Sequence, residues 1–189
     1  MITFTPESVI RSAELNANFS GLADGSEILD GAITIPKISN PYKFLAYRAT
    51  SNQTISNATW TTVALNGEDF DTNNNFDTST YKYTVPITGY YLLVGQMYAQ
   101  DADSGYSIII ICKNATSGVT GGFVLAEQRI VTTAGSHNKP NNCSYFGQLT
   151  AGDTITLVAY ISDTTTPSLL YKTATTYGTF LSGYLVSET

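Results

Sequence analysis

The residues that could carry nucleophilic or acid–base chemistry are few and far apart. The chain has one histidine, His137, in the polar loop sequence AGSHNKPNN, and two cysteines, Cys112 and Cys143. A catalytic triad requires a base beside its nucleophile, and a zinc site requires ligands at short, fixed spacings. The sequence shows neither pattern. We therefore predict that the protein is not an enzyme and that His137 is a solvated loop residue.

Carboxylates supply the remaining candidate chemistry. A pair for glycoside hydrolysis would have to come from Glu68, Asp69, Asp71, Asp101 and Asp103, which are better explained as acids of surface turns. Asp101 and Asp103 alternate within AQDADSGY, a turn that offers hard oxygen ligands. We predict no cofactor, with calcium at Asp101 and Asp103 as the one metal site to test.

Composition narrows the class of protein. The chain has 189 residues, of which 42% are hydrophobic and 13% charged, and its net charge is −6 without a basic cluster. Because the chain is acidic and has no basic cluster, we do not expect it to bind nucleic acid. The longest aliphatic run, Ile108–Ile111, is far shorter than the roughly 20 residues that span a bilayer. We expect no membrane insertion, and the opening MITFTPESVIRS does not resemble a secretory signal.

Both cysteines lie in strand-like stretches, where small apolar residues belong. We therefore expect free, buried thiols at Cys112 and Cys143. A single disulfide between them is the alternative.

Residues 1–42 differ from the rest. Thr5, Pro6 and Glu7 are typical of a helix start. Leu15, Phe19 and Leu22 then recur at helical spacing, and a proline-containing linker follows. The sequence predicts a separate N-terminal segment, residues 1–42, that contains a short helix, and a head domain over residues 43–189.

The head domain consists of short β-branched and aromatic segments bounded by turn residues. Ten such segments predict an all-β sandwich or barrel. They are residues 43–50, 53–56, 59–65, 80–85, 90–99, 106–114, 123–132, 143–150, 154–162 and 179–187.

An ordered spacing of residues runs through the middle of this domain. Its members are Leu65, Asp71, Phe76, Tyr83, Gly89, Tyr91 and Leu93. With LTAGDTITL and FLSGYLV near the end of the chain, this spacing resembles the globular head of complement subcomponent q, within the tumour-necrosis-factor-like jelly rolls. The resemblance implies a ten-stranded jelly-roll sandwich that assembles as a homotrimer. Leu65, Leu93 and Gly95 depart from the residues that the family prefers.

The strand after Gly89 is apolar on both faces, which indicates that a second copy covers one of them. The residues that we assign to the trimer interface are Tyr81, Tyr83, Tyr90, Tyr91, Leu93, Phe180 and Tyr184. The alternative places Tyr81, Tyr83, Tyr90 and Tyr91 inside the core of one subunit. The sequence leaves both interpretations open.

The opening TFTPESVIRSAELNANFSGLADG is similar to the first segments of tailed-bacteriophage fibre and spike proteins. This resemblance implies attachment to other virion proteins, with Leu15, Phe19 and Leu22 as the contact residues. It also implies a virion location for a protein made in the host cytoplasm without a signal peptide.

Three polar loops, at residues 100–105, 133–142 and 163–178, should emerge at one end of a jelly roll, opposite both termini. Loops on a rigid scaffold commonly bind ligands. The candidate ligand-binding residues are Asp101, Asp103, His137, Asn138, Lys139, Leu169, Tyr171 and Tyr177. The alternative for Leu169 and Leu170 is that they pack their loop onto the sandwich.

The sequence therefore predicts a trimeric phage fibre, spike or head-fibre tip that recognises a host-surface glycan or protein without catalysis. The alternatives are a capsid decoration or trimerisation module without a ligand, and a secreted lectin-like protein of the same fold. A depolymerase is the enzymatic rival.

Overall fold

The computed structural model describes residues 42–100, 105–132, 138–162 and 166–189. These residues form thirteen strands and contain no helix. The all-β prediction is confirmed for this part of the chain. The predicted helix with Leu15, Phe19 and Leu22, and the side chains of Asp101, Asp103 and His137, lie outside the described residues, and the division between residues 42 and 43 stays a prediction.

The first sheet, sheet A, is antiparallel throughout. Its main strands, in spatial order, are β4 (Gly67–Asp71), β1 (Lys43–Tyr47), β13 (Phe180–Glu188), β7 (Gly89–Gln100) and β10 (Asn138–Leu149). The short β12 (Ser168–Leu169) pairs with the last two residues of β7 and with β2 (Gln53–Thr54). Strand β10 is paired only with β7 among the described strands, so it forms one edge of the sheet.

The second sheet, sheet B, is also antiparallel. Its strands, in spatial order, are β5 (Phe76–Asp77), β6 (Lys82–Thr84), β11 (Thr154–Ser162), β8 (Gly105–Lys113) and β9 (Phe123–Thr132), and β3 (Thr61–Thr62) pairs with β11. Strand β9 is an edge strand, like β10 in the other sheet.

The main core fills the space between the two sheets. Alternation along β7 directs Tyr91, Leu93 and Met97 inward, where each side chain is fully buried. The Phe44 and Tyr83 rings stack there with their centroids 4.0 Å apart. Such close packing explains the small residues on this face, because a Cβ added at Gly183 would lie 2.5 Å from Leu93 Cδ2.

A smaller core covers the outer side of sheet B. Ile108, Ile110 and Val158 are buried there, and Trp60 and Val119 pack against them. Strands β8 and β11 are therefore covered on both faces, which accounts for the uninterrupted isoleucine run of β8.

The two cysteines belong to different layers. Cys112 lies in the smaller core and Cys143 in the main core, and both thiols are free and buried. The prediction of free, buried thiols is confirmed.

Each of the ten predicted strand segments overlaps a strand, but the predicted number is too low for the described residues. The missed strands are β4, β5 and β12. Two of these have only two residues, and β4 has the sequence GEDFD, which lacks the β-branched and aromatic alternation that predicts strands.

Strand registers fix which ends of the sandwich coincide. Asn138 and Ser168 both pair with Gln100, the last residue of β7. Glu188, near the end of the chain, pairs with Gly89, the first residue of β7. The strand ends that flank the three predicted loops therefore meet at one end of the sandwich, which we call the loop end, and the chain terminus lies at the other.

Candidate functional site

Large aromatic side chains lie exposed on the outer side of sheet A. Phe70, Tyr90, Phe146 and Tyr184 are 45%, 42%, 63% and 44% exposed. They come from the strands β4, β7, β10 and β13, and each occupies a position that alternation directs away from the core. We call these four residues the apolar face.

Register brings the members of the apolar face close together. Tyr184 and Phe146 both pair with Leu92 of β7, from opposite sides, and Tyr90 lies two residues before Leu92. The Tyr90 and Phe146 rings stack with centroids 6.2 Å apart. Together these two rings form a ridge beside the free edge of β10.

A groove of about 380 Å³ lies on the other half of the apolar face. Phe70 and Tyr184 line it, together with Leu45 and Gly183, and Lys43 contributes the one charged side chain of its lining. The sheet therefore presents an aromatic ridge and an aromatic-lined groove on the same surface.

A second cluster lies on sheet A nearer the loop end. The Lys172 ammonium lies 4.3 Å from the ring centroids of both Tyr47 and Tyr177 and 2.5 Å from Asp69 Oδ1. Tyr177 donates its hydroxyl hydrogen to Asp69 Oδ2. The hydrogen bond with Lys172 lowers the pKa of Asp69, and the same bond raises the pKa of Lys172, so both groups are charged at neutral pH.

Comparison with known proteins identifies the fold. No family model matches the chain, and no curated protein matches it. Among solved structures, Eiger TNF from S. frugiperda is similar at 16% identity, with a TM-score of 0.58 over 78% of this chain and 94% of that one. Murine APRIL at pH 5.0 is similar at 17% identity, with a TM-score of 0.54 over 76% of this chain and 98% of that one. The protein has a tumour-necrosis-factor-like jelly-roll fold.

The globular domain of zebrafish complement 1qA protein also aligns, at 15% identity and a TM-score of 0.48 over 78% of this chain and 99% of that one. The fold assignment rests on the two structures with TM-scores of 0.58 and 0.54. Because all of these identities are low, the comparisons show the fold and do not show the function. Within the described residues, no helix is long and apolar enough to cross a membrane.

The residues that the sequence assigned to a trimer interface lie partly on the surface and partly in the core. Tyr90 and Tyr184 lie on the apolar face. Tyr83, Tyr91 and Leu93 are at most 1% exposed and lie within the core of one protomer. These three side chains cannot contact a second copy while the sandwich stays folded, so we remove them from the interface.

The other two members of that set lie elsewhere. Phe180 is half-buried on the outer side of sheet A, where it packs edge-on against Tyr177 at 6.2 Å between centroids. Tyr81 is half-buried in the turn before β6, with a positive φ of 61°. Phe70 and Phe146, which the sequence analysis missed, take their place on the exposed surface.

The candidate ligand-binding residues are also divided. Leu169 is fully buried in the core, so its role is to pack the loop onto the sandwich. Tyr171 and Tyr177 are exposed. Asn138 and Lys139 belong to β10, where their backbones pair with Gln100 and Ala99 at the loop end.

Two of the candidate acids within the described residues, Asp69 and Asp71, have structural partners. Asp71 Oδ2 accepts a 2.6 Å hydrogen bond from the backbone N–H of Phe76, and Asp69 binds Lys172. Partial burial and the nearby Asp71 raise the pKa of Glu68. Within the described ranges, no three His, Cys, Asp or Glu side chains are grouped as metal ligands would be. Calcium at Asp101 and Asp103 stays a prediction.

Proposed function

We propose that the protein is a non-catalytic module that assembles as a homotrimer through the apolar face. The observation that carries this proposal is the exposure of Phe70, Tyr90, Phe146 and Tyr184 on one side of one sheet. Soluble monomers rarely leave such a contiguous aromatic surface in water, and a second copy of the chain removes it from solvent. The number three comes from the resemblance of the sequence motif to a trimeric family.

The ridge and the groove suit a cyclic assembly. A ring of three identical copies requires that one surface of each copy bind a different surface of the next. The Tyr90–Phe146 ridge lies beside the free edge of β10, and the groove lies between Phe70 and Tyr184 on the opposite half of the sheet. A ridge that inserts into the groove of the neighbouring copy gives such a contact.

We further propose that the module belongs to a phage particle and uses its loop end to recognise a host-surface glycan or protein. Residues 1–42 would bind other virion proteins, as their resemblance to fibre and spike segments implies. Support for recognition comes from the strand registers, which gather the loop-flanking strand ends opposite the chain terminus. Three copies would multiply a weak affinity through avidity.

A purely structural module without a ligand is the second candidate, and one observation favours it. Within the third predicted loop, Leu169 is buried and Tyr177 binds Asp69, so both side chains already have partners in their own protomer. A trimerisation or decoration module requires the apolar face but has no need for an accessible loop end.

Light scattering on the 189-residue chain tests the assembly. We expect a mass three times that of the 20.3 kDa chain, and a monomer would overturn the proposal. Binding to whole host cells and to a glycan array then separates the two candidates. Binding that disappears when Tyr171 is replaced supports recognition at the loop end, whereas a trimer that binds neither cells nor glycans is the structural module.

A further inference from the structure

The surroundings of the Lys172 ammonium have the form of a cation-binding cage. The rings of Tyr47 and Tyr177 meet at 84°, with centroids 6.3 Å apart, and form two perpendicular walls. The Asp69 carboxylate provides the third side, and the ammonium lies at the same 4.3 Å distance from both ring centroids. We call Tyr47, Tyr177 and Asp69 the aromatic cage.

A β-bulge in β4 places Asp69 at the cage. Leu45 pairs with Phe70 and Ala46 pairs with Glu68, which leaves Asp69 as the extra residue of a β-bulge. Bulges of this kind redirect a side chain away from the regular alternation of its strand.

Two glycines lie at close approaches beside the cage. A Cβ added at Gly67 would lie 2.8 Å from Tyr47 Cε2, so glycine is required where the Tyr47 ring crosses β4. A Cβ added at Gly178 would lie 2.6 Å from the carbonyl oxygen of Tyr171, so glycine also permits the close chain approach next to Tyr177. Gly67 therefore leaves room for the Tyr47 ring, and Gly178 leaves room for the backbone that precedes Lys172.

The walls do not depend on the Lys172 ammonium for their positions. Tyr47 belongs to β1, and Gln96 Nε2 donates to the carbonyl oxygens of Tyr177 and Gly178 at 3.1 and 2.9 Å. The backbone N–H of Lys172 donates to the carbonyl oxygen of Arg48 at 2.8 Å. The ammonium can leave while the segment stays attached to sheet A.

The cage is also open to water. The side chains of Lys172 and Asp69 are 24% and 26% exposed, and Tyr177 is 42% exposed. Two aromatic faces with a carboxylate attract an alkylammonium group through cation–π and charge interactions. A ligand from solution can approach the same space that the lysine occupies.

We propose that the aromatic cage is a binding site for alkylammonium groups and that Lys172 is a tethered internal occupant, which an external ammonium ligand displaces. All four residues belong to one protomer, so this inference does not rest on the proposed trimer or on recognition at the loop end. A tethered occupant competes at high effective concentration and weakens the apparent affinity of the site for free ligands.

Calorimetric titration of the 189-residue chain with choline chloride tests the proposal, with sodium chloride at matched ionic strength as the blank. We expect Lys172→Ala to bind choline about tenfold more tightly than the unmodified protein, because the internal competitor is gone. Lys172→Met should also bind choline more tightly than the unmodified protein, because a neutral side chain competes less well for the cage than the ammonium. The neutral isostere 3,3-dimethyl-1-butanol should not bind either, because it lacks the charge that the rings and Asp69 attract.

Lys113→Ala is the matched control, because Lys113 is also ion-paired, with Asp153 at 3.3 Å, but lies outside the cage. Its affinity for choline should equal that of the unmodified protein. If Lys172→Ala keeps its circular dichroism spectrum and melting temperature but does not bind choline, Lys172 is only an internal fastening and the proposal fails.

NMR on the unmodified protein covers the case in which Lys172→Ala does not fold. The two rings should shift the Lys172 side-chain resonances upfield, and choline should return them towards solvent-exposed values. Resonances that stay in place up to high choline concentration, while sodium chloride has the same small effect, would overturn the displacement.

Discussion

Asn141 of β10 joins the two sheets by donating its side-chain amide to the carbonyl oxygen of Gln128 in β9, at 3.1 Å. The same nitrogen also donates to the carbonyl oxygen of Ser107 in β8, at 3.4 Å. Asn141 is 2% exposed, and β9 and β10 are the edge strands on this side of the sandwich. A single buried side chain of sheet A therefore hydrogen-bonds to the backbone of two neighbouring strands of sheet B.

Replacing Asn141 by leucine should lower the free energy of unfolding by about 1–3 kcal/mol, because the buried hydrogen bonds that link the two sheets are lost. Asn141→Asp should cost more, since it directs a carboxylate at two carbonyl oxygens. Urea denaturation measures both changes. The neighbouring, exposed Asn142 is the control, and its replacement by alanine should change stability by less than about 0.5 kcal/mol. Equal losses at the two positions would refute the role of Asn141.

Phe146→Asp should convert the trimer to monomers, because it places a charge at the centre of the proposed contact, where it cannot be hydrated. Phe146 is 63% exposed in the single protomer, so the folded monomer should tolerate the change. Light scattering reports the mass and circular dichroism reports the fold.

Phe123→Asp is the matched control for this substitution. Phe123 is 67% exposed at the start of β9, outside the apolar face. The variant should remain trimeric. A trimer that survives Phe146→Asp, or one that Phe123→Asp disrupts equally, places the contact on another surface.

The sequence could predict the fold but could not divide its aromatic residues between core and surface. Turn residues and β-branched segments located most strands, because these are local signals. Alternation says that Tyr90 and Tyr91 point in opposite directions, but both faces of β7 are apolar, so the pattern does not identify the inner one. The pairing of β7 with β10 and β13 determines which face of β7 is directed inward, and Tyr91 lies on that buried face.

The positions of Phe70 and Asp69 on the surface of sheet A could not be predicted for a different reason. They belong to β4, whose sequence GEDFD is typical of a turn, and it becomes a strand only by pairing with β1 far along the chain. The bulge at Asp69 then depends on that pairing. Phe146 did carry a local signal, because CSYFGQLT was predicted as a strand and alternation from Cys143 directs Phe146 to the other side.

Both thiols should resist alkylation in the native protein. Burial raises the pKa of the Cys143 thiol to about 12 and also raises that of Cys112, so neither forms an appreciable amount of the reactive thiolate at pH 8. Iodoacetamide followed by mass spectrometry should show no adduct in buffer and two in denaturant. Rapid native labelling of Cys143 would show that the groove of about 580 Å³ beside it exposes its sulfur.

The same shift predicts a loss of stability in alkali. A thiol with a raised pKa in the folded state stays protonated there, whereas the unfolded chain releases its proton near the ordinary value of about 8.5. Below about pH 8.5 the thiol is protonated in both states and does not change the free energy of unfolding. Between about pH 8.5 and pH 12 it ionises only in the unfolded chain, which lowers the free energy of unfolding. Cys143→Ala should therefore lose less stability than the unmodified protein as the pH rises from 9 towards 12, as measured by urea denaturation. Identical pH profiles would contradict the burial of this thiol.

Gly95 faces the main core from β7, and the space opposite it is already filled. A Cβ at this position would lie 2.5 Å from Leu157 Cδ1 and 3.4 Å from Ile111 Cγ1. Gly95→Ala should therefore destabilise the protein by about 1–3 kcal/mol through overpacking. Leu157→Val shortens the opposing side chain and should cost about 1 kcal/mol alone. Because each change relieves the other, the double variant should be more stable than the sum of the two losses predicts. Strict additivity in urea denaturation would mean that the two positions are not in contact.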